Sequence, residues 1–133
     1  MARWLLPLVL LALFPASASA GPLAGKSWRV TRIGGDDVSS AHERLRFNSR
    51  HNFTGRGAGC GGRDFGGHYR ATATRLRFSD VHVTGEGCDG PSTTPPPPEI
   101  GAVISTTRFY RITGRTLELL GRRGRTLAVL RRR

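Results

Sequence analysis

The chain has 133 residues and carries 21 Lys and Arg against 9 Asp and Glu, a formal charge of +12, which allows one small basic domain and excludes two. The first twenty residues hold a disproportionate share of the apolar side chains, so the remainder must fold around a thin core. All but one of the basic residues are arginine, a skew to which composition alone assigns no function.

Arg3 precedes an apolar stretch from Trp4 to Phe14, broken only by Pro7, and Pro15 leads into Ala16-Ser17-Ala18-Ser19-Ala20. This pattern predicts a secretory signal peptide over residues 1–20, cleaved near Ala20-Gly21. The apolar part is well short of the roughly 20 residues a membrane-crossing helix needs. The expected mature domain, residues 21–133, is therefore periplasmic or secreted, with no transmembrane segment and a net charge of +11.

From Ser27 onward, short β-type runs alternate with Gly, Asp and Asn clusters. Ser27–Ile33 reads as a first strand, stopped by Gly34-Gly35-Asp36-Asp37, and Leu45-Arg46-Phe47 begins a second. Asn52–Gly55, His68–Thr72 and Thr74–Val83 continue the series, the last with Leu76 and Phe78 on a dry face and Arg75 and Arg77 on a wet one. Pro91–Pro98 reads as a stiff polyproline spacer or, more sharply, as a recognition segment for a partner. Glu99–Ser105 has the apolar spacing of two helical turns, which the preceding prolines keep from starting earlier. Phe109–Ile112, Thr116–Leu120 and Thr126–Leu130, joined by glycine turns, predict a three-stranded meander.

The chain has two cysteines, Cys60 and Cys88, and both follow the leader. In an oxidising compartment such a pair predicts one disulfide, which would restrict the unfolded chain by roughly 3 to 4 kcal/mol on the loop-entropy model. Two free thiols are the alternative. A metal site is disfavoured because neither cysteine has a second ligand at metal-binding spacing. His42, His51, His68 and His82 are scattered without helical pairing, and the aspartates stand beside glycines as turn formers. Ser39, Ser40, His42 and Glu43 are residue types of a hydrolase, but no nucleophile elbow surrounds either serine. No catalytic residue, metal or cofactor is expected.

Charge placement is the stronger signal. Arg108–Arg133 holds nine arginines against Glu118 alone. Arg111, Arg115, Arg122, Arg123 and Arg125 are the candidates for binding lipopolysaccharide or anionic lipid. Nucleic acid is disfavoured, since only Phe109 and Tyr110 interleave aromatics with the basic residues.

Gly59-Cys60, then Phe65, Gly67 and Tyr69, then Thr84 to Cys88, together with the closing Tyr110–Leu119 hairpin, resemble the HslJ-like META domain family. Gly61 replaces the asparagine usual after the first cysteine, and the spacing to Phe65 is longer, so Asp64 is the residue expected to cap that loop. The resemblance implies a role in envelope maintenance or stress tolerance, exercised by binding a protein or envelope component near the glycine-cysteine loop. The fold expected is mostly β (α+β): a strongly curved antiparallel sheet or partly closed barrel with one short helix and one disulfide.

Overall fold

The computed structural model describes residues 21–57, 64–83 and 99–133. These hold one antiparallel sheet of β1 (Ser27–Ile33), β2 (Asp36–Asp37), β3 (Arg44–Phe47), β4 (Asn52–Arg56), β5 (Asp64–Ala71), β6 (Leu76–Val83), β7 (Phe109–Thr113), β8 (Thr116–Leu120) and β9 (Thr126–Arg132). The strands run in the order β6-β5-β4-β3-β1-β9-β8-β7, and β2 folds back on β1. The sheet curls until its ends meet. Arg75 bridges to Phe109, Leu76 N–H donates to Arg108 O at 3.0 Å, and Tyr110 N–H donates to Thr74 O at 2.9 Å. The expected strongly curved, partly closed antiparallel sheet with little helix is what forms.

Period-two alternation drives the curl. Trp28, Val30, Leu45, Phe47, Phe53, Leu117, Leu119 and Leu130 all face inward and are buried, and their intervening neighbours face water. The one helix, α1 (Ile100–Ile104), places Ile100 and Ile104 in the same core. It is shorter than the two turns expected from Glu99–Ser105. Its first amide is held from across the chain: Ile100 N–H donates to Glu43 Oε1 at 2.9 Å, and Glu43 is fully buried.

Three strands differ by two residues or more at one end from the sequence reading. β5 starts at Asp64 rather than His68, because Gly66 and Gly67 carry no side chain and so hide the alternation that pairing with β4 and β6 enforces. β6 starts at Leu76 rather than Thr74, and its dry face ends at Phe78, beyond which Val81 and Val83 are exposed. β9 runs past Leu130 to Arg132, continuing its pairing with β1 into the terminal arginines. The leader, Gly59, Thr84, the expected Cys60–Cys88 bridge and Pro91–Pro98 lie outside the described residues.

Candidate functional site

Residues directly opposite in an antiparallel pair lie on the same face of the sheet. Arg56 on β4 stands opposite Arg44 on β3, Arg44 opposite Arg29 on β1, and Arg29 opposite Arg131 on β9. Four arginines on four consecutive strands thus form one transverse row. All four are exposed on the outer face, while the alternate residues Trp28, Leu45 and Leu130 fill the core behind them. Adjacent strands are about 4.8 Å apart, so the row is about 14 Å long at the backbone. Asp64 closes it on the β5 side, and Thr116 on β8 continues it beyond Arg131.

A second row runs two residues along the same face. It comprises Thr54, Arg46 and Ser27, with Arg133 bonded through its N–H to Ser27 O at 3.1 Å. Arg46 is pinned there: its Nη1 donates to Ser27 Oγ at 3.0 Å and its Nε to Asn48 Oδ1 at 3.2 Å. Shallow concavities flank both rows, one lined by Arg29, Arg44, Arg56, Arg115, Arg131 and Arg133, the other by Ser27, Arg46 and Thr54. Like charges directly opposite repel. Among the described residues Arg29, Arg44 and Arg131 have no ion-pair partner.

The C-terminal candidates do not gather into one site. Arg111 is neutralised by Glu118 directly opposite, with Nη2 2.5 Å and Nε 2.6 Å from Oε2. Arg115 sits in the β7–β8 turn, where its carbonyl accepts from Arg132 N–H at 2.8 Å, and it joins the edge of the row. Arg122, Arg123 and Arg125 occupy the β8–β9 turn at the other end of β8, about 17 Å away. Arg122 and Arg125 line a separate small concavity with Thr106 and Arg108. Sequence reasoning missed Arg29, Arg44 and Arg56, and counted Arg131 only within the C-terminal arginine run. Their only local signal is an arginine beside a core residue, and the row exists only through register.

The family-motif residues within the described chain serve the core. Phe65 and Tyr69 are buried, with Phe65 against Phe53 at a centroid distance of 6.2 Å and Tyr69 edge-on to Phe47 at 4.8 Å. Asp64 opens β5 opposite Arg56, and the loop it is expected to cap lies outside the described residues. Gly67 lies where β6 bulges across it. The residue types of a hydrolase diverge: Ser39 Oγ donates to Asp37 at 2.6 Å, whereas the Glu43 carboxylate points into the core toward α1. His68 Nδ1 lies 2.9 Å from Asp80 Oδ2, but among the described residues no three His, Cys, Asp or Glu side chains could hold a metal.

Two tyrosines tie loops to the barrel. Tyr69 Oη donates to Ser49 O, and Tyr110 Oη donates to Thr72 O at 2.6 Å. Burial, and for Tyr69 also the neighbouring Tyr110, pushes both phenols above their ordinary value of 10.0. A raised folded-state pKa contributes stability that is present below the unfolded value and lost as pH rises through the folded one. The melting temperature is therefore expected to fall as pH rises above about 10, and tyrosinate absorbance should show both phenols ionising above their ordinary value in the folded protein. Both phenols titrating at their ordinary value in the folded protein would contradict this.

A sequence model described as META domain matches residues 21–133. No curated protein and no solved structure matches the chain.

Proposed function

The chain belongs to the META domain family, and from that membership we propose that it is an exported, non-enzymatic protein of stress tolerance and envelope maintenance that works by binding a phosphate-bearing envelope component such as lipopolysaccharide. The family match supports a stress-related domain protein. The leader-like N-terminus supports export. No helix among the described residues is long and apolar enough to cross a membrane.

The observation that carries the binding reading is the register of Arg56, Arg44, Arg29 and Arg131. Arginines carried on adjacent strands about 4.8 Å apart at the backbone raise the local potential and offer repeated forked donors to phosphate oxygens. On this reading the site is the outer face of the sheet centre rather than the C-terminal hairpin arginines.

Two variants with equal loss of charge separate a site from general basicity. R29S/R44S/R131S is expected to lose retention on lipopolysaccharide and on anionic vesicles at about 150 mM salt, where weak surface attraction is mostly screened. R122S/R123S/R125S is expected to keep it. Equal retention of both variants, or equal loss, would overturn the assignment to the row.

A further inference from the structure

The two rows are polar throughout. The first reads Asp64, Arg56, Arg44, Arg29, Arg131, Thr116, and the second Thr54, Arg46, Ser27, Arg133. Protein partners are met by faces whose buried centre is apolar and rich in aromatics. Single-stranded nucleic acid is held by aromatic platforms on which bases stack. Neither row carries an aromatic or a large aliphatic side chain. The complementary ligand therefore has a negative charge at every step and nothing that needs stacking or apolar cover.

Curvature narrows the choice further. The rows lie on the outside of a sheet whose two ends touch. Four adjacent strands in that path cover roughly a third of its circumference, so the outer guanidiniums of the row diverge. A planar bilayer lies tangent to one strand and engages part of the row. A flexible chain of charges bends along all of it.

We propose that this face is a track for a linear, flexible polyphosphate chain, laid across β4, β3, β1 and β9. The proposal rests on the anion-binding reading above and specifies its ligand class. Arg44, Arg29 and Arg131 supply the guanidinium forks; these stand farther apart than phosphates joined by one bridging oxygen, so they meet alternate phosphates of the chain, and Arg46, Arg133 and Thr54 supply donors alongside. Asp64, opposite Arg56, stands at the β5 end of the track. Arginine suits this because its planar fork accepts two phosphate oxygens at once.

The test is competition and direct binding with inorganic polyphosphate of graded length, set against phosphatidylglycerol vesicles and a single-stranded oligonucleotide at equal total phosphate. Affinity should rise with chain length until the chain spans the row and then flatten. Arg29, Arg44 and Arg131 should contribute about −2 to the slope of log affinity against log salt, at about 0.7 counterion each. R29S/R44S/R131S should weaken binding at least about tenfold and flatten the slope by about 2, with no fall in melting temperature, since it relieves repulsion between opposed charges. R122S/R123S/R125S should stay within about threefold of the original protein, since the turn lies outside the track. Tighter binding to vesicles or to the oligonucleotide than to polyphosphate would overturn the proposal and leave an anion-binding protein of another specificity. Failure to bind any of the three would overturn both the track and the reading on which it rests.

Discussion

Replacing Glu43 with alanine should lower the stability of the domain by about 3 kcal/mol, seen as a fall in melting temperature of about 10 °C or more. Glu43 is fully buried at the head of β3, and its Oε1 accepts the first amide of α1 from Ile100, 57 positions along the chain. Its backbone carbonyl also accepts Val30 N–H at 2.9 Å, so the residue is fixed by β1 on one side and holds α1 on the other. Alanine removes the acceptor, leaves the Ile100 N–H without it inside the protein, and opens a cavity beside Ile100 and Ile104. Glu43→Gln keeps an acceptor oxygen of the same shape and should lose less. An alanine variant that melts with the parent protein would show that α1 is held by its two isoleucines alone.

A second large loss is expected from Gly67→Ala, about 2 kcal/mol from overpacking against immovable backbone. A Cβ at Gly67 would stand 2.7 Å from Ser79 O and 2.8 Å from Asp80 O. Both are main-chain atoms of β6 at the bulge where its register on β5 shifts, and Asp80 there holds a φ of 53°. No side-chain rotation relieves that contact, so β6 must move away from β5. Gly66→Ala is the matched control: its Cβ meets Phe53 O at 3.1 Å, a contact that a few tenths of an ångström relieves. Urea melts of the two variants should therefore rank Gly67→Ala well below Gly66→Ala, and equal midpoints would refute the bulge as the reason for glycine at this position.

Much of the barrel was legible from local pattern. Trp28 and Val30, or Leu117 and Leu119, announce a strand's dry face because alternation is a property of a few consecutive residues. Gly34 and Gly114, both at positive φ, mark their turns for the same local reason. Where side chains vanish, the pattern fails: Gly66-Gly67 concealed the first half of β5, and only its pairing with β4 and β6 extends the strand back to Asp64.

The candidate site was far less legible. The dense arginines near the C-terminus drew attention as a run, yet Arg111 is spent on Glu118 and the turn arginines point away from the rest. Arg29, Arg44, Arg56 and Arg131 are unremarked one at a time and become a row only when four strands pair in one register.

The amino-acid sequence by itself determined the family and most strand and turn positions, because each depends on composition or on neighbours within a few residues. Only the tertiary structure decided which charges stand side by side, why Gly67 admits no Cβ and what the buried Glu43 holds. Those depend on contacts between distant segments, and the partner and register of a strand are set by the whole core rather than by the strand's own residues.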